Sequence, residues 1–265
     1  MNMFLHELKA YRNSTIIWSL GLIAIVVLFL SLYPSFSRDA EEFMKVLEGF
    51  PEELRKAIGL SFETLATLLG FFSYSFLYIK LSGAVQAMNL GLSIISKETR
   101  DKTADFLLTK PVTRTQVITS KLFAALTSLV FTNLAFLASV MVMASFVKTE
   151  DFSEQALLMV SVTLLFIQLI FLSLGIMIAV LIPRIKSVIS ISLGTVFTFF
   201  ILGMISSSTA DKGLRYLTPF NYFDNQYIIR TLEYEGEFIF IGISIIFTAV
   251  LASYWIYGKK DVHSV

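Results

Sequence analysis

Lys80 stands near the middle of an apolar run, residues 67–96, that holds no other Asp, Glu, Lys, Arg or His. A cation placed there costs about 2.5–3.5 kcal/mol on insertion scales and normally faces a packed interior or a water-filled cavity. On a helix, Ser73, Gly83, Ala84, Ala87 and Gly91 share the face of Lys80, and such small side chains let a second backbone approach closely. No carboxylate lies in any apolar run of the chain. The partner of Lys80 must then be a lipid headgroup, a loop carboxylate, a backbone carbonyl or an acidic group on a transported molecule. Two readings stand side by side. In one, Lys80, Gly83, Ala87 and Asn89 line a substrate pathway; in the other, the four-carbon stem carries the ammonium to the outer membrane interface. The amides Gln86, Asn89, Asn133 and Gln168 are explained first by hydrogen bonds between helices.

Other chemistry is poorly provided for. The absence of Cys removes thiolate nucleophiles, disulfides and Cys-based metal centres. The two histidines, His6 and His263, lie near the chain ends, so a serine in an apolar run has no base within reach. Soft metal ligands and paired carboxylates are missing from the runs, and no G-x-x-x-x-G-K-[ST] segment is present to cradle nucleotide phosphates. A formal net charge of +1 gives no field for nucleic acid. The expectation is a chain that is not by itself an enzyme and carries no metal or cofactor.

The elements that position Lys80 follow from composition. Of 265 residues 55% are hydrophobic and 15% charged, against ~45–50% and ~25% in soluble domains. With 25 Phe and a mean hydropathy of +0.74, the missing charge is missing water-facing surface. Six runs, 16–33, 67–96, 122–146, 156–182, 188–206 and 238–257, approach or exceed the ~20 residues that cross a bilayer. The fold class is all-α: a polytopic membrane protein with six transmembrane helices in a single domain. The first run exceeds a signal-peptide core and is followed by no cleavage pattern. Six spans put both termini on one side. Twelve Lys and Arg on that side, against eight in the longer and more acidic segments opposite, make it the cytoplasm.

The flanking segments have patterns of their own. In residues 1–14, Met1, Phe4, Leu5, Leu8 and Tyr11 fall on one helical face and Asn2, His6, Lys9 and Asn13 on the other. This predicts an interfacial helix lying along the membrane before the chain turns in; a frayed tail is the alternative. The outer loop 34–66 carries two short amphipathic helices either side of a break at 49–51. The outer loop 207–237 gathers Tyr216, Phe220, Tyr222, Phe223 and Tyr227 around Pro219, as an aromatic interface belt does.

The most structured polar segment is 97–121, KETRDKTADFLLTKPVTRTQVITSK. It reads as a helix from Glu98 to Leu108, stopped by Pro111, with a second helix from Thr113 leading into the next span. Phe106, Leu107 and Leu108 place apolar bulk among charges, which fits a protein-docking surface or an amphipathic helix on the inner leaflet. The order Glu98, Thr103, Leu107–Leu108, Pro111–Val112, Arg114 and Lys121 resembles the signature of ABC-2-type permease subunits of bacterial ATP-binding-cassette exporters. Residues 50–59 (FPEELRKAIG) and 217–223 (LTPFNYF) resemble the same family. Lys102 departs from it, standing where the family commonly has Gly.

The resemblance implies that 97–121 forms a coupling helix seated in a separate ATPase subunit, with Glu98, Thr103, Phe106, Leu107, Leu108, Pro111, Val112 and Arg114 at the contact. It implies two copies each of permease and ATPase, the permease a homodimer, with ATP and Mg bound by the ATPase alone. It places Pro219, Phe220, Tyr222 and Phe223 at an outer gate, and the chain in the bacterial plasma membrane among lipid. The Phe-rich spans suit a hydrophobic or amphipathic cargo such as a peptide, antibiotic or lipid. The rival is an ATPase-independent secondary transporter or channel, which calls for ionisable residues in several spans or helices broken at the midplane.

Overall fold

The computed structural model describes residues 3–39, 49, 51, 66–100, 112–182, 184–209 and 212–259. Its helices are α1 (Met3–Arg38), α2 (Leu68–Arg100), α3 (Arg114–Val147), α4 (Glu154–Leu181), α5 (Val188–Thr209), α6 (Lys212–Leu217), α7 (Asn225–Thr231) and α8 (Gly236–Lys259), with a 3-10 turn at Pro219–Asn221. No strand occurs among the described residues. Six of the helices, α1 to α5 and α8, are long and apolar enough to cross a membrane.

The ends of the helices follow local chemistry. Thr113 opens α3 with a capping box: its hydroxyl accepts from Gln116 N–H at 3.2 Å, and the Gln116 side chain accepts from Thr113 N–H at 3.0 Å. That reciprocal pair satisfies two amides with no intrahelical partner. Ser153 caps α4 by accepting from Ala156 N–H, and Asp224 caps α7 through Gln226 and Tyr227 N–H.

Packing sorts the bundle into two close pairs, α1 with α3 and α2 with α4, with α8 against α4 and α5 against α2. The second pair is the tighter in backbone terms. A Cβ built on Gly91 would stand 2.5 Å from Leu172 O, and one on Gly175 would stand 2.7 Å from Met88 O. The small row of α2 is therefore the seat of α4, because lipid supplies no hydrophobic drive and only bare backbone allows this approach. Between the pairs runs a chain of polar side chains. Ser19 donates to Thr132, Gln86 donates to Thr132, Gln168 donates to Gln86, and Asn133 donates to Gln168, so α1, α3, α2 and α4 are joined at mid-depth. Three of the four amides act as the expected interhelical ties; Asn89 does not join them.

Within the expected interfacial helix 1–14, the described residues 3–14 are not a separate helix. Residues 3–14 continue the first span in one helix of 36 residues, about 54 Å at 1.5 Å per residue against a hydrocarbon core of ~30 Å. The turn-in expected near residue 15 has no residue to make it: 12–17 contain neither Gly nor Pro. The paired helices of loop 34–66 fall largely outside the described residues.

Candidate functional site

The starts of α1, α3 and α5 and the ends of α2, α4 and α8 share one end of the bundle, called here the terminal end. Contacts of Lys121 with Glu7 and Ile94, and of Thr119 with Tyr254, close it. The opposite, distal end carries α6, the 3-10 turn and α7.

The distal loop dips back into the bundle. Thr218 donates to Phe199 O at 2.8 Å, ten residues before α5 ends at Thr209, a depth of about 15 Å along the helix. Asn221 donates to Gly203 O at 2.9 Å and to Ser207, and Gly203 has no side chain to obstruct it. Phe220 sits against Phe171 and Phe200, and Phe223 against Phe166 and Tyr234. Pro219, Phe220, Tyr222 and Phe223 are all buried. Arg215 holds the outer side: it donates to Asn221 O at 3.0 Å, pairs through both terminal nitrogens with Glu235, and lies 3.9 Å over the Phe238 ring. Tyr222 donates to Tyr216 O at 2.6 Å, and Tyr216 donates to Glu237 at 2.7 Å, a bond that raises the Tyr216 pKa and keeps its hydroxyl a donor. The four residues expected at an outer gate thus lie together in one plug.

Lys80 belongs to this plug. Its ammonium donates to Phe223 O at 2.9 Å, lies 5.3 Å from the Phe76 ring centre, and is 5% exposed. It does not face open space. A backbone carbonyl of the 217–223 motif is its partner, and Asn225, two residues on, donates to Ser73 O on the same helix. The other residues grouped with it separate. Gly83 and Ala87 are buried, Gly83 directly beneath Leu164 of α4. Asn89 turns the other way, into a crevice between α1 and α2 lined by Tyr11, Ser14, Thr15, Trp18 and Gln86.

At the terminal end lies a pairing that the sequence reading did not expect, although Lys121 closes the signature. Lys121 is 0% and Glu7 4% exposed, and the Lys121 ammonium donates to Glu7 Oε1 at 3.2 Å and to Ile94 O at 2.5 Å. A signal for Glu7 existed: Glu7, Tyr11, Ser14 and Trp18 recur at helical spacing, and all four turn inward. Arg215 with Glu235, twenty residues apart, had none. Of the expected coupling residues, Val112 is exposed and Arg114 opens α3. Thr103, Phe106, Leu107, Leu108, Pro111 and the side chain of Glu98 lie outside the described residues.

No group of His, Cys, Asp and Glu able to hold a metal occurs among the described residues. A family model described as "ABC-2 family transporter protein" matches residues 1–262. No curated protein and no solved structure matches the chain. With six apolar helices, a match over nearly its whole length and the 217–223 motif folded as one body, the chain belongs to the ABC-2 transporter family and is a multi-pass membrane permease.

Proposed function

We propose that this permease forms the membrane passage of an exporter and is driven by a separate ATP-binding-cassette ATPase seated on residues 97–114. Family membership implies such a partner and accords with a dimer of permeases. The carrying observation is the reach of α2. It is unbroken from Leu68 to Arg100, about 50 Å at 1.5 Å per residue; its last turn enters the coupling segment and its Lys80 holds the distal plug through Phe223 O. One rigid rod therefore connects the ATPase contact to the outer gate, and a rod that moves along or about its axis pulls on that bond.

ATP and Mg are bound by the partner; this chain supplies levers. ATPase closure moves Glu98, Thr103, Phe106, Leu107, Leu108, Pro111, Val112 and Arg114 as one unit. The displacement passes up α2, and the plug of Pro219, Phe220, Tyr222 and Phe223 parts from α2 while its bonds from Thr218 and Asn221 keep it on α5. A passage bounded by α2 and α5 then alternates access, as a population shift between two packings. Asn89 faces the crevice between α1 and α2 instead; Lys80, Gly83 and Ala87 act on the passage from the packed side of α2. Apolar spans with scattered amides suit a hydrophobic or amphipathic cargo, and the positive terminal end fits the cytoplasm.

The test is purification of the chain with its ATPase in lipid nanodiscs. The native chain is expected to retain ATP hydrolysis through purification, and Leu107→Asp with Leu108→Asp to lose it. Hydrolysis that never accompanies the native chain would support an ATPase-independent carrier instead.

A further inference from the structure

The buried pair Glu7–Lys121 lies at the junction of the two helix pairs of the bundle. α1 packs on α3 and α2 on α4, while contacts from one pair to the other are sparser. At mid-depth the chain from Ser19 to Asn133 spans the gap. At the terminal end Lys121 of α3 does so through Ile94 O on α2, while Glu7 on α1, in its own pair, holds the ammonium in place. Lys97 of α2 adds a weaker tie, 5.8 Å from the Tyr11 ring of α1.

Position gives this junction its meaning. The coupling segment leaves α2 six residues after Ile94 and enters α3 seven residues before Lys121, so any force on it arrives at both pairs at once. Without a tie, the pairs can scissor and absorb the displacement. A buried ion pair contributes little net stability, because desolvation of both charges offsets their attraction, and apolar residues of similar volume often serve as well or better. What an apolar pair lacks is direction: an ammonium held at once by a carboxylate and a carbonyl fixes three helices at one point. Oε2 of Glu7 is buried with no hydrogen-bond partner, a cost that packing alone gives no reason to carry.

We propose that Lys121 is a positioning residue that, with Glu7, clamps the two helix pairs at the coupling end, so that movement delivered by the ATPase shifts both pairs as one body. The proposal rests on the ATPase-driven reading above. It gives a role to a lysine that the sequence marks only as the last residue of the 97–121 signature.

The chain has no Cys, so spin labels can be placed at will. Leu5→Cys on α1 and Leu181→Cys on α4, 58% and 54% exposed, report the separation of the pairs in the ATPase complex, with labelled chain diluted into unlabelled chain. In the native background, and with Lys121→Arg, the distance distribution is expected to stay narrow and unmoved by ATP-vanadate trapping. With Lys121→Met it is expected to broaden and shift by about 1–2 Å or more, the scale of helix shifts at interfaces, while the complex still hydrolyses ATP. Glu7→Leu with Lys121→Met guards against misfolding of the single variant. It is expected to match or exceed native thermal stability and still to show the shift, which a merely structural role would not produce. A native-like, unmoved distribution in the double variant overturns the clamp alone, as does a shift in the native protein. Absence of any ATPase from the native complex overturns the coupling reading, and the clamp with it.

Discussion

Two lysines are buried at opposite ends of this bundle, and the membrane protein deals with them differently. Lys121 is held by a carboxylate and a carbonyl from two other helices; Lys80 is held by one carbonyl of a re-entrant loop and the face of a phenyl ring, with the Asp224 carboxylate acting on it only through its charge. The first arrangement joins elements that are already long helices. The second joins a helix to a segment that must part from it if the passage opens outward. A single ammonium-to-carbonyl bond is easily exchanged for water, whereas separating a buried ion pair leaves an uncompensated charge. The difference assigns a fixed joint to the terminal end and a releasable one to the distal end.

Substitutions can break that contrast, and the largest effect is expected at the fixed joint. Lys121→Ala strands the Glu7 carboxylate and should lower stability by about 3–5 kcal/mol, read as a fall in the thermal midpoint in detergent. An unchanged midpoint would mean that water reaches the stranded carboxylate and that the joint is no stronger than its counterpart. Next comes Gly91→Val, whose side chain would meet Leu172 O and Ile176 N; overpacking of this kind costs about 1–3 kcal/mol and would loosen α2 from α4 one turn from Ile94, close to the fixed joint. Asn221→Ala removes the bonds to Gly203 O and Ser207 and should cost about 1 kcal/mol, confined to the plug. Hydrogen exchange faster than native at residues 217–223, with the terminal end unaffected, checks it. The smallest effect is expected for Lys80→Met. Loss of the bond to Phe223 O, about 1–3 kcal/mol, is offset by removal of a cation that costs about 2.5–3.5 kcal/mol to insert. Stability should hardly move, while the plug is freed from α2; a collapse in stability would make Lys80 a second fixed joint.

The sequence carried the helices almost whole and the joints only in part. Spans could be read because apolar length has one use in a bilayer, and the inward face of α2 could be read because Lys80, Gly83, Ala87 and Gly91 coincide at helical spacing. What that face meets was not legible, since small residues announce a close partner without saying which; α4 answers through Gly175. Lys80 drew notice as a charge inside a span, but its acceptor is a carbonyl 143 residues away, and backbone atoms leave no mark in sequence. Lys121 stood in the sequence as the last residue of the signature, but its acceptors were not legible: one is a carbonyl, and Glu7 lies on a helix start whose apolar residues drew the reading, among them Leu5, which is exposed. The plug was half legible: LTPFNYF marked the place, while Arg215 and Glu235 came together only through the fold.

The central claim is that the ATPase contact drives the distal plug through α2. Thr218 is fully buried beneath the plug, bonded to Phe199 O, and Thr218→Cys would be the only thiol in the chain. The decisive measurement is the rate at which a charged, membrane-impermeant thiol reagent modifies that cysteine in the ATPase complex, before and after ATP-vanadate trapping. A rate that changes severalfold on trapping, and no longer changes once Leu107→Ala and Leu108→Ala are introduced, is the predicted result. A rate indifferent to nucleotide in a complex that hydrolyses ATP would contradict it.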